Sequence, residues 1–175
     1  MSLFEAIVLG IVQGLTEFLP ISSTAHLRVV PALLGWSDPG AAFTAVIQLG
    51  TVGAVLVYFA QDIARLTRAF ISGLRTRKPF ETVDSRLAWF VGIGTLPIGL
   101  LGLLLKKRIE TDFRSLWVIG TALLVLGVVL WVVEKTAAHR KTLAELSLRD
   151  ALLIGLGQSL ALIPGSSRSG TTITA

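Results

Sequence analysis

Pro20-Ile21-Ser22-Ser23-Thr24-Ala25-His26 and Pro164-Gly165-Ser166-Ser167-Arg168-Ser169-Gly170 interrupt two apolar segments of this chain. Proline disfavours helical backbone at the residue before it, so we expect helices to end near Leu19 and Ile163. The serine pair after each proline is a good N-cap for a second helix. The two stretches therefore predict two units, each consisting of a helix, a break and a second helix.

The remainder of the chain has the composition of a membrane protein. Of its 175 residues, 53% are hydrophobic and only 15% are charged, whereas soluble domains carry about 25% charged residues. Three uncharged apolar runs have the roughly 17–25 residues that a helix needs to cross a bilayer; they are 42–60, 87–105 and 116–133. We therefore expect an all-α polytopic membrane protein, a single transmembrane domain over 1–175, with the two interrupted units in 1–34 and 147–175.

The two interrupted units align with each other as a repeat. At one spacing, Ser2, Glu5, Gly10 and Gln13 pair with Ser147, Asp150, Gly155 and Gln158. After one extra residue in the first copy, Pro20 and Ser22-Ser23 pair with Pro164 and Ser166-Ser167. Three spans separate the copies, so we expect an inverted repeat whose two re-entrant hairpins meet near the bilayer midplane in one polar site. Because no spans follow the second copy, we also expect this chain to be the N-terminal part of a longer protein.

The charges of the loops predict an orientation in the membrane. Regions 61–86 and 134–149 together hold ten basic residues, whereas region 106–114 and Arg28 hold five. Cytoplasmic loops carry the excess of lysine and arginine. We therefore expect 61–86 and 134–149 in the cytoplasm, and 106–114 and 28–39 on the outer face.

Polar side chains at the two breaks indicate phosphate chemistry. The second break is small and hydroxyl-rich around one arginine: Ser166, Ser167, Arg168, Ser169, Gly170, Thr171 and Thr172. An arginine at a helix N-terminus suits phosphate oxygens. In the first break, Glu17 is a carboxylate at membrane depth, which is by default functional, and carboxylate with phosphate is the usual setting for Mg²⁺ or Ca²⁺. His26 could move a proton, and Ser23, three residues earlier on the same predicted helix face, is the hydroxyl that it could activate. The residues therefore suggest phosphoryl transfer.

Other interpretations of these residues stay open at this point. Glu17 and Arg168 could form a structural ion pair, and His26 could lie at the membrane surface. We assign Gln48, alone in the middle of a span, to helix packing. A transporter or flippase for an anionic lipid or solute fits the inverted repeat equally well, although it does not need His26 near Ser23. A structural fragment without activity is a third reading.

Two motifs, Gln13–His26 and Pro164–Thr172, resemble the undecaprenyl-diphosphatase family, also called the bacitracin-resistance protein family. Ile47-Gln48-Leu49-Gly50 and Thr95-Leu96-Pro97 resemble it too, and the similarity runs through the whole chain. The resemblance implies a membrane enzyme that hydrolyses undecaprenyl (C55) diphosphate to undecaprenyl phosphate and phosphate, which recycles the lipid carrier of peptidoglycan and other wall polymers. It also implies a divalent cation, Mg²⁺ or Ca²⁺, and a site in the bacterial cytoplasmic (inner) membrane that opens to the periplasm.

Residue roles follow from the same motif match. The resemblance implies that Glu17 and Gln13 bind the metal, that Ser23 and His26 act with Glu17 in catalysis, and that Arg168 binds phosphate together with its neighbours in 166–172. Gln13 stands where the family has an acidic residue, which leaves Glu17 as the only carboxylate. Ser23, His26 and a water molecule all remain candidate nucleophiles. As partners we expect the polyprenyl diphosphate and membrane lipids, with a homodimer as one assembly to test and no nucleic acid.

Overall fold

The computed structural model describes residues 1–137 and 141–175, and within them the chain is helical with no strand. The helices are α1 (Leu3–Thr16), α2 (Ser23–Leu34), α3 (Gly40–Tyr58), α4 (Ala60–Arg75), α5 (Val83–Glu110), α6 (Leu116–Thr136), α7 (Leu148–Ser159) and α8 (Arg168–Thr174). Short 3-10 turns at Asp112–Arg114, Leu143–Glu145 and Leu160–Leu162 connect some of them. The all-α prediction is therefore confirmed.

Three of these helices, α3, α5 and α6, are long and apolar enough to cross a membrane. Their large side chains point outward, as lipid-facing surfaces require; Leu103 and Leu104 of α5, for example, are 77% and 79% exposed. Helix α5 extends beyond the uncharged run on both sides, since hydrogen bonding continues through charged residues outside the apolar core. The chain is thus a multi-pass membrane protein.

A fourth helix lies in the region that the charges assign to the cytoplasm. Helix α4 occupies Ala60–Arg75 and packs against α5. It has 16 residues, several of them charged, so it is too short and too polar to cross a bilayer. The other predicted cytoplasmic region, 134–149, includes residues 138–140, which lie outside the described residues.

Both interrupted units consist of two helices with a break between them. The first unit comprises α1 and α2, separated by residues 17–22, and the second comprises α7 and α8, with the 3-10 turn Leu160–Leu162 in the break. The first helices end a few residues before Leu19 and Ile163, because the chain already turns or tightens ahead of each proline. That the units re-enter the membrane from opposite faces stays a prediction.

The helix caps correct the alignment of the repeat. Ser2 with Glu5 and Ser147 with Asp150 form capping boxes at the starts of α1 and α7. At the same spacing along the chain, Ser22 and Ser167 cap α2 and α8, accepting hydrogen bonds from the N–H groups of Ala25 and Gly170. Both cap serines have positive φ, 62° and 42°. The extra residue and the pairing of Ser22 with Ser166 are therefore wrong: the cap, and not the proline, marks the equivalent position.

The corrected alignment pairs the first residue of α2 with the first residue of α8. With Ser22 equivalent to Ser167, Ser23 of α2 is equivalent to Arg168 of α8. Pro20 and Pro164 are then not equivalent, which explains why the proline alignment needed a gap. The repeat thus places a hydroxyl and a guanidinium at matching backbone positions.

Candidate active site

The two breaks meet in space. The hydroxyl of Ser169 donates to the backbone carbonyl of Glu17 at 3.1 Å, across 152 residues of sequence. Helices α2 and α8 also both pack against α6, and a side chain at Gly165 would overlap the carbonyl of Ile119 on that helix. The structure therefore brings both predicted polar segments to one place, supported by α6.

A small polar cavity of about 40 Å³ lies where the breaks meet. Its lining includes Glu17 and 22–24 from the first break, Ile163–Gly165, Ser167 and Arg168 from the second, and Gln48 from α3. By the volume that a water requires, it has room for about three waters. The cavity suits a phosphate group and is far too small for a whole lipid.

The first break contributes a hydrogen-bonded carboxylate and hydroxyl. Ser23 Oγ donates to Glu17 Oε2 at 2.5 Å, and Gln13 Nε2 donates to the same oxygen at 2.6 Å. Ser23 and Gln13 are buried, while Glu17 is half-buried at the cavity. A carboxylate that accepts the proton of a hydroxyl is placed to act as the general base for that hydroxyl.

Glu17 and Gln13 also have side-chain oxygens that could bind a cation. Gln13 Oε1 is buried and has no hydrogen-bond partner within the described residues. No group of three or more His, Cys, Asp or Glu side chains that could hold a metal occurs among those residues. One carboxylate and one amide oxygen suit Mg²⁺ or Ca²⁺ completed by substrate oxygens and water, and not a metal that prefers nitrogen or sulfur ligands. The donor set therefore fits a hard cation that binds together with a phosphate.

The second break contributes an unpaired guanidinium. Within residues 1–137 and 141–175, the side chain of Arg168 makes no hydrogen bond and no ion pair, and its backbone carbonyl accepts the hydroxyls of Thr171 and Thr172. The alternative ion pair between Glu17 and Arg168 is not formed in this part of the chain. All five N–H donors of Arg168 are consequently free for an anion at the cavity.

Most other residues of the predicted phosphate-binding stretch do not reach the cavity. Ser167 lines it, but its hydroxyl accepts the N–H of Gly170 as the cap of α8. The hydroxyl donors of Ser169, Thr171 and Thr172 are used on backbone carbonyls. Ser166 is 1% exposed and lines neighbouring cavities beside α6. From the second break, the cavity thus receives the guanidinium of Arg168 and the hydroxyl of Ser167, whose O–H donor is not used by the cap.

His26 lies apart from this network. Its Nδ1 is 2.8 Å from the carbonyl of Ser22, and since a carbonyl only accepts, Nδ1 carries the proton there. The ring lines another cavity, of about 300 Å³, beside α6; this cavity shares Gly165 and Ser167 with the polar cavity but is not lined by Glu17, Ser23 or Arg168. Because Ser23 is the first residue of α2, its hydroxyl turns back to Glu17 instead of forward to His26. The predicted Ser23–His26 pair is not formed.

Gln48 and Gln158 line different cavities. Gln48 lines the polar cavity, so assigning it to helix packing was wrong; the available signal was a lone polar side chain in an apolar span. Gln158, the repeat counterpart of Gln13, lies between α7 and α5 and lines a different cavity. The repeat therefore duplicates the backbone and not the chemistry.

Comparisons with known proteins agree on one family. The model of the family "Bacitracin resistance protein BacA" matches residues 6–175. An undecaprenyl-diphosphatase of Myxococcus xanthus is 66% identical over 174 residues, which cover 99% of this chain and 59% of the relative. Undecaprenyl-diphosphatases of Chloroherpeton thalassium and Chlorobium phaeobacteroides are 61% and 59% identical over 181 residues, covering 99% of this chain and 64% of each relative. The chain thus spans about three-fifths of the length of these relatives.

Proposed function

This chain belongs to the bacitracin resistance protein BacA family, and we propose that it provides the catalytic site of a membrane phosphatase that removes the terminal phosphate of undecaprenyl diphosphate. The observation that carries the proposal is the hydrogen bond from Ser23 to Glu17 in the cavity that Arg168 also lines. An activated hydroxyl and an unpaired guanidinium at one phosphate-sized cavity suit phosphoryl transfer. A transporter would need the anion site alone, so the Ser23–Glu17 pair favours the enzyme.

In the first step, Ser23 Oγ attacks the terminal phosphorus. The new bond joins Oγ to phosphorus, the bond from phosphorus to the bridging oxygen breaks, and the Oγ proton passes to Glu17. Undecaprenyl phosphate leaves with the bridging oxygen. The free donors of Arg168 stabilise the charge that develops on the phosphoryl oxygens.

In the second step, water hydrolyses the phosphoserine. The water oxygen bonds to phosphorus, the bond from phosphorus to Ser23 Oγ breaks, and Glu17 returns its proton to Oγ. Both water protons leave with the released phosphate as H2PO4⁻. Gln13 holds the carboxylate in place through its hydrogen bond. A divalent cation held by Glu17 and Gln13 would neutralise the charge of the diphosphate when bound.

The relatives are named for undecaprenyl diphosphate, which we propose as the substrate, and a membrane protein fold suits a lipid substrate. Undecaprenyl diphosphate is a lipid, and a multi-pass membrane protein can take it directly from the bilayer. We propose the bacterial cytoplasmic (inner) membrane as the location, with the site open to the periplasm, where the product would re-enter cell-wall synthesis. We also propose that the protein assembles as a homodimer.

The test is phosphate release from undecaprenyl diphosphate by the purified protein in detergent, with added Mg²⁺ or Ca²⁺ and with a chelator. We expect cation-dependent release that falls by about 10²–10³ in Arg168→Ala, the loss typical of removing a transition-state donor. Arg149→Ala, an exposed arginine on α7, is the matched control and should keep full activity. Binding of the lipid without any phosphate release would reject the phosphatase and favour a carrier.

A further inference from the structure

Gln48 is the polar side chain of α3 that remains available to a ligand. The hydroxyls of Thr44 and Thr51 donate to the carbonyls of Gly40 and Gln48 on their own helix. The amide of Gln48 makes no hydrogen bond within the described residues and lines the polar cavity with Glu17 and Arg168. A free amide in the middle of an apolar span is costly unless it binds something.

The face of α3 that carries Gln48 continues into an apolar cleft. Thr51, Val52, Val55 and Leu56 line a cavity of about 300 Å³. These positions follow Gln48 at three, four, seven and eight residues, which places them on one side of the helix. The face therefore changes from polar to apolar over about 12 Å of helix.

The cleft and the polar cavity share their charged residues. Glu17 and Arg168 line both, so the two spaces join there. The larger apolar cavity beside Trp117 and Val125 has no charged residue in its lining, and the cavity beside His26 contains neither Glu17 nor Arg168. All three neighbouring spaces share lining residues with the polar cavity, but the α3 cleft is the one lined both by Glu17 and Arg168 and by the apolar side chains of α3.

We propose that Gln48 binds the phosphate that stays on the lipid, and that the Val52–Leu56 face of α3 seats the first part of the polyprenyl chain. The inference rests on the proposed function. In a polyprenyl diphosphate the inner phosphate lies between the scissile bond and the chain. A helix face that passes from an amide donor to apolar side chains matches that order, so it directs the terminal phosphate to Ser23. Gln48 and α3 thus determine which end of the lipid is presented.

The test uses binding, which does not depend on turnover. The probes are methylenediphosphonate, which lacks a tail, and geranylgeranyl methylenediphosphonate, which carries one, measured by calorimetry with the protein in detergent micelles. Gln48→Leu should weaken both probes by about tenfold, the loss of one hydrogen bond to a charged group. Val52→Trp, which fills the cleft, should weaken the tailed probe by about tenfold and leave the tail-less probe unchanged.

Each variant has a matched control. Gln158→Leu makes the same substitution away from the cavity, and Val57→Trp places the same ring at an 80% exposed position of α3; both should bind like wild type. Gln48→Glu, which keeps the shape and repels the anion, replaces Gln48→Leu if that variant does not fold. Wild-type affinity in the Gln48 variants or in Val52→Trp overturns the inference alone. Failure of the wild-type protein to bind either probe overturns the proposed function with it.

Discussion

Ser23 and Arg168 show how one backbone pattern serves two chemical roles. Each is the first residue of a helix that follows a break, and each follows a cap serine with positive φ. Ser23 points back to Glu17, while Arg168 stays unpaired within the described residues. At this scale the proposed site consists of a nucleophile and an anion binder on equivalent positions.

The Ser23–Glu17 pair predicts that the two residues act as one unit. Ser23→Ala and Glu17→Gln should each lower phosphate release by at least about 10²-fold, and the double variant should be no worse than the poorer single one, because either change removes the activated hydroxyl. Rates of phosphate release from the three variants in one detergent measure this. Additive losses would mean that the two side chains act separately.

His26 gives a second prediction at the residue scale. Its Nδ1–H donates to the carbonyl of Ser22, the cap of α2. Asparagine can supply a donor at nearly the same place but cannot serve as a base, so His26→Asn should keep most of the activity if the ring positions the cap. His26→Phe, which lacks the donor, should lose it. Equal and severe loss in both variants would restore His26 to the proton transfer that the motif match implies.

At the scale of elements, α7 packs closely against α5 because glycines lie at the contact between the two helices. A Cβ at Gly155 would overlap the carbonyl of Gly94, and a Cβ at Gly94 would lie 3.0 Å from the carbonyl of Ala151. Small residues four apart, Ala151 and Gly155, allow this close approach of two helices in a membrane. The second break is therefore positioned through α7, by backbone contact with a spanning helix.

Gly155→Ala should destabilise the protein by about 1–3 kcal/mol, the usual result of overpacking, by separating α7 from α5. Gly10→Ala is the matched control, because Gly10 is the repeat counterpart and a Cβ there meets no atom of the described residues within 4 Å. Unfolding in mixed micelles, followed by circular dichroism, compares the two variants. Equal stability would show that the close approach does not hold α7 in place.

The sequence was informative about elements and less so about side-chain directions. Uncharged length predicted α3, α5 and α6, because spanning a bilayer is a requirement on local composition. The pairing of Ser23 with Glu17, and not with His26, depends on how the chain turns between residues 17 and 22. Gln48 reaches the cavity only through the packing of α3 beside the first break. Such tertiary contacts leave no periodic pattern to detect.

At the scale of the whole molecule, the loop charges predict a definite orientation in the membrane. The chain has no cysteine, so a single introduced cysteine reports its own side of the membrane. Thr76→Cys, in the region 61–86, should resist a membrane-impermeant maleimide added to intact spheroplasts. Thr111→Cys, in the region 106–114, should react. Neither substitution changes the charges that set the orientation.

The contrast between the labels tests the predicted crossings of α5 and α6. Thr142→Cys, in the region 134–149, should behave like Thr76→Cys, because two spans, α5 and α6, lie between the two positions. Labelling of all three after the membrane is permeabilised is the control for accessibility. The reverse pattern, with Thr76 and Thr142 labelled from outside, would place the basic loops in the periplasm.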